Sequence, residues 1–108
     1  MKRYFIIQSQ SPFNDPAAEQ HYALAKDLVD SGVPVRMLLV QHGTTVAHQG
    51  TQNSAFQQLL SSDVELYADR FALHERQIQE EELHPGIVAA DLDLVAEALL
   101  AGDKVIWH

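Results

Sequence analysis

The 108-residue chain contains no cysteine, and this absence excludes a group of functions. Without a thiol, these residues can form no disulfide, no thiolate metal site and no cysteine persulfide. Basic residues are also few, since seven Lys and Arg stand against fifteen Asp and Glu, and they are scattered along the chain. A nucleic-acid-binding face needs many basic groups together, because its affinity comes from neutralising several phosphates at once. We therefore expect no nucleic-acid partner.

Long hydrophobic runs are also missing. The longest apolar segments, Tyr4 to Ile7 and Met37 to Val40, are far too short to cross a bilayer. The amino terminus has two basic residues but lacks the apolar segment of a secretory signal. With 46% hydrophobic and 20% charged residues, the composition is that of an ordinary folded protein. We expect one domain over residues 1–108, a cytoplasmic location and no membrane association.

Strand-like and helix-like patterns alternate along the chain. Strands are predicted at residues 3–9, 33–40, 64–68, 87–88 and 104–107. A helix is predicted from about Pro16 to Ser31, with Asp15 as its N-cap and Gly32 as its terminator. An interrupted helical region is predicted over 44–60, and the Glu80 to Glu82 stretch is interpreted as a solvated helix face.

The last predicted helix begins after Asp91, which we interpret as its N-cap, and ends before Gly102. Its apolar residues fall on one side, opposite Asp93 and Glu97, and they are Leu92, Val95, Leu99 and Leu100. The alternation as a whole predicts an α/β fold, a three-layer α/β/α domain with an essentially parallel sheet of about five strands.

Polar side chains stand where each of the first three predicted strands ends. The first strand ends in Gln8-Ser9-Gln10, the second in Gln41-His42-Gly43 and the third in Asp69-Arg70. Parallel strands release their chains at one edge of the sheet, where ligands of open α/β sheets bind. The pattern predicts one ligand or partner cavity, and its expected lining residues are Ser9, His42, Asp69, Arg70, His74 and Arg76. Solvated connecting loops are the alternative interpretation of the same residues.

Asp69 is expected to pair with Arg70 or Arg76, because an unpaired buried carboxylate is costly. His42 and His74 could join Asp69 as two imidazoles and one carboxylate around a metal ion, but their spacing matches no metal motif. Ser9, His42 and Asp69 could form a catalytic triad, but no G-x-S-x-G turn presents a serine. We therefore assign no catalytic residue, no metal ligand and no cofactor.

Several short motifs make the chain similar to a known family, and they are Pro12-Phe13, Gly32, Gly43, Gly50, Val64 to Ala68, Arg76-Gln77 and Asp103 to Ile106. They resemble, in the same order, motifs of the DsrE/DsrF-like family of sulfur-relay proteins. The third strand of that family is followed by its sulfur-accepting cysteine, and Asp69 takes that position here. An Arg-Gly pair of the family corresponds to Arg76-Gln77.

The resemblance implies the fold strongly and the function less directly, because a carboxylate cannot hold sulfur as a persulfide. It implies a non-catalytic interaction or oligomer-scaffold protein connected with sulfur metabolism, with sulfur-handling proteins as partners. A homo-oligomer, either a dimer, trimer or hexamer, is expected, partly because so short a chain leaves sheet faces and edges uncovered. The alternative is a small-molecule or metal-binding protein, or an acid–base enzyme, that uses a pocket around Asp69, His42 and His74.

Overall fold

A computed structural model describes residues 2–108, in which strands and helices alternate. The strands are β1 (Tyr4–Gln8), β2 (Val35–Leu39), β3 (Glu65–Asp69), β4 (Ile87–Ala90) and β5 (Lys104–Trp107). The α-helices are α1 (Ala18–Asp30), α2 (Ser54–Leu60), α3 (Arg70–Glu75) and α4 (Asp93–Leu100). Two 3-10 helices lie at Gln41–Ala47 and Glu80–Glu82.

The strands form one parallel sheet in the order β4-β3-β2-β1-β5. This confirms the predicted α/β class, the parallel pairing and the strand number. β2 is buried along its whole length, as expected for a parallel strand covered on both faces. The edge strands β4 and β5 are more exposed, because each lacks a neighbour on one side.

The two faces of the sheet are covered unequally. Side chains alternate between faces along a strand, so Ile6 points to one core and Phe5 and Ile7 to the other. The larger core, with Ile6, is covered by α1, α2, α3 and the first 3-10 helix. The opposite face, which we call the α4 face, has a smaller core to which the helices contribute only α4 residues. On that face Val88 of β4 and Trp107 of β5 stay exposed.

The helix ends differ in detail from the predictions. Helix α1 begins at Ala18 rather than Pro16, although the Asp15 carboxylate accepts a hydrogen bond from the backbone N–H of Ala17 at 3.0 Å. It ends at Asp30, and Gly32 follows with a φ of 90°, the left-handed conformation that glycine adopts without strain. Helix α4 begins at Asp93, and the prediction that Asp91 caps it is wrong, because no side chain caps this helix.

Helix α4 also orients its apolar residues differently from the expectation. Only Ala98 is buried, while Leu94 and Val95 pack half-buried against the smaller core. Leu92, Leu99 and Leu100 are exposed, so they do not form a buried stripe. A helix of eight residues lies along the sheet with little more than one turn in contact, and the remaining leucines face outward.

Candidate functional site

The end of β3 leads directly into α3 through Asp69. Asp69 is the N-cap of the helix, and its Oδ2 accepts a hydrogen bond from the backbone N–H of Ala72 at 3.2 Å. Aspartate is a favoured N-cap because its carboxylate satisfies one of the free amide groups of the first helical turn. Its side chain is drawn inward, and the residue is only 6% exposed.

Asp69 lines a small cavity of about 210 Å³ at this edge of the sheet, which we call the Asp69 cup. Its other lining residues are Val40, Gln41, Phe71, Ala72, Glu75, Leu92 and Trp107. They come from the ends of β2, β3 and β5, from both ends of α3 and from the residue that precedes α4. The cup therefore collects residues far apart in sequence, as the convergence of parallel strand ends predicts.

Gln41 gives the cup a second unusual feature, because its φ of 50° lies in the left-handed region. A non-glycine residue in this region is uncommon and somewhat strained. Two contacts hold the turn: the hydroxyl of Thr44 donates to the Gln41 carbonyl at 2.8 Å, and the backbone N–H of Val40 donates to the Gln8 carbonyl at 3.0 Å. The chain after β2 is thereby turned across the end of β1.

Arg70 and His74 line a different cavity, of about 330 Å³, between α3 and the segment that follows it. Arg70 points away from Asp69, and its guanidinium donates to Asp91 at 2.7 Å and to Glu80 at 3.3 Å. These hydrogen bonds, first the one to Asp91, raise the pKa of Arg70. The guanidinium also donates to the Ala89 carbonyl, so Arg70 fastens α3 to β4.

The other predicted site residues line neither cavity. Arg76 donates to the Ala72 carbonyl at 3.3 Å and lies 4.0 Å from the Glu75 carboxylate. His42 is exposed on the first 3-10 helix. The Ser9 hydroxyl donates to the His108 carbonyl at 2.6 Å and joins the end of β1 to the end of the chain.

Two expectations about this site need correction. The six predicted residues do not meet in one cavity. The prediction that an arginine pairs with Asp69 is also wrong, because Arg70 and Arg76 bind other groups and Ala72 supplies the hydrogen bond. Sequence spacing indicates which edge a residue reaches, but the direction of each side chain follows from packing.

Helix α3 and the apolar residues of the cup were not predicted. The sequence indicates a polar segment over residues 69–76, although Asp69 is also a residue type favoured at helix N-caps. Phe71, Leu92 and Trp107 are 67%, 57% and 64% exposed. No local pattern identifies them as neighbours.

Two features are absent among residues 2–108. No three His, Asp or Glu side chains lie close enough together to hold a metal ion, so His42, His74 and Asp69 are not assembled as a metal site. None of the helices described has the length and apolar character needed to cross a membrane.

The fold and the sequence together identify the class of protein. The DsrE/DsrF-like family model matches residues 2–108, so the chain belongs to the DsrE/DsrF-like family. This confirms the resemblance inferred from the short motifs. No curated protein sequence gives a significant match.

Solved structures share this fold at low sequence identity. The ychN protein of E. coli is 21% identical with a TM-score of 0.87, and all of both chains is covered. MTH1491 of Methanobacterium thermoautotrophicum, a protein of unknown function, is 12% identical with a TM-score of 0.86 over all of both chains. BT1422 of Bacteroides thetaiotaomicron, a conserved protein of unknown function, is 15% identical with a TM-score of 0.76, covering 97% of this chain and 94% of that one. At these identities the likeness concerns the fold.

Proposed function

We propose that this chain is a non-catalytic interaction or oligomer-scaffold protein connected with sulfur metabolism. Asp69 stands where the family resemblance puts the sulfur-accepting cysteine, and its carboxylate caps α3. None of the 108 residues is a cysteine, so none can carry a persulfide. The position thus has a structural role that needs no reaction.

The observation that carries the proposal is the incomplete covering of the α4 face. Val88 of β4 is exposed, as are Leu99 and Leu100 of α4. Tyr67 of β3 is half-buried on the same side of the sheet. Exposed apolar side chains are favourable to bury, and apolar surface of this kind marks interaction sites in many proteins. A second copy of the chain would cover these apolar side chains without any additional residues in the chain. We therefore propose a dimer, trimer or hexamer.

Sedimentation velocity at micromolar concentration tests the oligomer. We expect a species heavier than the 12.1 kDa chain, and we expect Val88→Glu combined with Leu100→Glu to reduce it to a monomer, because buried charges oppose association. Leu24→Glu, on the exposed side of α1, is the matched control and should leave the mass unchanged. A wild-type chain that sediments as a monomer would contradict the proposal.

The link to sulfur metabolism is tested by restoring the thiol. In the variant Asp69→Cys, the thiolate should attack the outer sulfur of a persulfide donor, form a cysteine persulfide and release the donor thiolate. Asp63→Cys, on the exposed segment before β3, is the control for non-specific reaction. Mass spectrometry should find the added sulfur on the first variant and much less on the second. Equal labelling of two folded variants, or no labelling, would count against the sulfur link.

Affinity purification from the source cell tests the interaction function itself. Sulfur-handling proteins should be recovered with the wild-type chain and lost with the Val88→Glu and Leu100→Glu combination. A cytoplasmic location, a single domain over residues 1–108 and the absence of a nucleic-acid partner stay part of the proposal.

A small-molecule site is the second candidate, and the buried carboxylate of the Asp69 cup favours it. A thermal-shift screen with metabolites and divalent metals should then raise the melting temperature, since a ligand that binds the folded state stabilises it. The increase should be lost in Asp69→Asn, which keeps an N-cap acceptor but removes the charge. A metabolite that raises the melting temperature of the wild-type chain and of Asp69→Asn equally would not bind in the cup.

A further inference from the structure

The Asp69 cup has the chemistry of a site for an organic cation. Among residues 2–108, two carboxylates belong to its lining, from Asp69 and Glu75, and no basic side chain does. Its rim carries the exposed side chains of Phe71, Leu92 and Trp107. The faces of tryptophan and phenylalanine rings attract cations, and the leucine offers apolar surface to a hydrocarbon stem.

The charge of Asp69 makes this site unusual within the molecule. The residue is 94% buried, and among residues 2–108 the Ala72 N–H is the one group that donates to its carboxylate. Arg70 and Arg76 are engaged elsewhere. The other oxygen of this carboxylate accepts no hydrogen bond within residues 2–108 and is not fully shielded from solvent, so a cation that enters the cup can bind it.

The size of the cup limits the kind of ligand that can occupy it. Its 210 Å³ lies below the roughly 300 to 1,000 Å³ of pockets that enclose a whole drug-sized ligand. Its aromatic rim remains mostly exposed, whereas a pocket for a free metabolite would enclose the ligand more completely. Tryptophan is enriched among the residues that contribute most to the affinity of protein interfaces, which favours a partner protein as the occupant.

We propose that the Asp69 cup receives a lysine or arginine side chain presented by an apolar segment of a partner protein. The ammonium or guanidinium group binds the Asp69 carboxylate, and the stem packs between Phe71, Leu92 and Trp107. This inference rests on the proposed interaction function and names the chemistry of its partner.

Trp107 makes the proposal directly measurable, because it is the one tryptophan of the chain and it stands on the rim. Its fluorescence is recorded while the full chain is titrated with a short blocked peptide that carries a central lysine between leucines. A matched peptide with norleucine in place of lysine keeps the stem and removes the charge. We expect the lysine peptide to change the emission with an affinity about tenfold or more above that of the norleucine peptide.

Three outcomes of these titrations would overturn the proposal. Equal affinity for the lysine and norleucine peptides would mean that the cup binds apolar groups without regard to charge. No change of emission with either the lysine peptide or its arginine equivalent would mean that the cup does not receive such side chains. Butylammonium ion is titrated in parallel, and if it binds as tightly as the lysine peptide, the occupant is a free amine rather than a partner side chain.

Two charge variants assign the effect to the cup. Asp69→Asn should remove about tenfold or more of the preference for lysine and leave norleucine binding unchanged, because asparagine retains the N-cap acceptor. Asp63→Asn makes the same charge change on the exposed segment before β3 and should preserve the preference. If the Asp69 variant fails to fold, Glu75→Gln on exposed α3 takes its place, with a smaller loss expected. If Asp69→Asn and Glu75→Gln both fold and both retain the full preference for lysine, the assignment to the cup is refuted.

The result is separable from the test of oligomer formation. Asp69→Asn leaves Val88, Leu99 and Leu100 intact, so its sedimentation should match that of the wild-type chain. Loss of lysine preference with an unchanged mass identifies the cup as a site of its own. An intact oligomer without any lysine preference would reject the cup proposal and leave the scaffold proposal standing.

Discussion

At the scale of single residues, the core contains a polar atom that has no partner. Tyr22 on α1 is 1% exposed, and its ring meets that of Phe56 edge to face at a centroid distance of 5.2 Å. Its hydroxyl is buried and finds no hydrogen-bond partner within residues 2–108, and burial raises the pKa of this phenol. The side chain therefore supplies apolar area while its oxygen is a cost.

Tyr22→Phe should leave the free energy of unfolding unchanged or raise it by about 1 kcal/mol, because it removes an unsatisfied group and keeps the ring packing. Urea unfolding measures the difference, with Tyr67→Phe on the half-buried face as the control. A marked loss of stability in the Tyr22 variant would show that the hydroxyl is bonded.

A second residue-scale effect concerns His21, whose imidazole stacks on that of His108 at a centroid distance of 3.7 Å. Burial first, and then the neighbouring His108, lower the pKa of His21 below 6.5, although Asp15 acts in the opposite direction. The folded state thus releases a proton that the unfolded state holds. The contribution of neutral His21 to the free energy of unfolding is therefore complete above about pH 6.5, and it is lost as the pH falls below that value.

Urea unfolding of the wild-type chain and of His21→Gln, compared between about pH 7.5 and about pH 5, measures that loss. The stability advantage of the wild type over the variant should shrink on acidification. An advantage that grows at low pH would show that protonated His21 is favoured in the folded state.

At the scale of structural elements, the first 3-10 helix lies against the end of β1 through Gly43. The backbone N–H of Gly43 donates to the Val40 carbonyl at 2.8 Å and to the Ser9 carbonyl at 3.0 Å, so the backbone of the 3-10 helix directly contacts the backbone that follows β1. A Cβ at this position would overlap the carbonyl oxygen of Gln8. Glycine is therefore required by the close approach of two main chains.

Gly43→Ala should lower the free energy of unfolding by about 1 to 3 kcal/mol, since either the 3-10 helix or β1 must shift. Gly50→Ala is the matched control, because an added Cβ there meets the side chain of His48 rather than a backbone. Thermal unfolding of the two variants gives the comparison. Equal effects would mean that the contact of Gly43 can relax.

At the scale of the whole molecule, one buried carboxylate joins three strands at the amino edge of the sheet. Asp103, just before β5, accepts from Arg3 at 2.9 Å and from Arg36 of β2 at 3.2 Å, and the side chains of Asp103 and Arg36 are only 5% and 10% exposed. Arg3 directly precedes β1. The group thus ties β5 to the two central strands.

Asp103→Asn should destabilise the protein by about 3 kcal/mol, because it leaves the Arg36 guanidinium buried without its counter-charge. Asp30→Asn, which removes the exposed partner of Lys26 on α1, is the control and should change stability little. Chemical denaturation of both variants measures the difference, and similar effects would contradict a structural role for the Asp103 group.

The sequence by itself determined the architecture of this protein. Apolar runs at strand length separated by helical periods specify a parallel α/β sheet, and the spacing of those runs determines the edge at which Ser9, His42 and Asp69 emerge. Both predictions depend on local periodicity and on the general rules of strand connection, and a single sequence is enough to apply them. The family resemblance depends on short motifs in the same sequence, and the match of the family model to residues 2–108 confirms it.

Only the tertiary structure decided which of these residues meet. Asp69 turned inward because the first turn of α3 offered an N–H, and Arg70 turned outward because Asp91 and Glu80 stood beside it. The cup gained Leu92 and Trp107 from distant segments through the strand order β4-β3-β2-β1-β5. Side-chain direction and long-range contact depend on the packing of elements far apart in sequence, and no local pattern encodes that information.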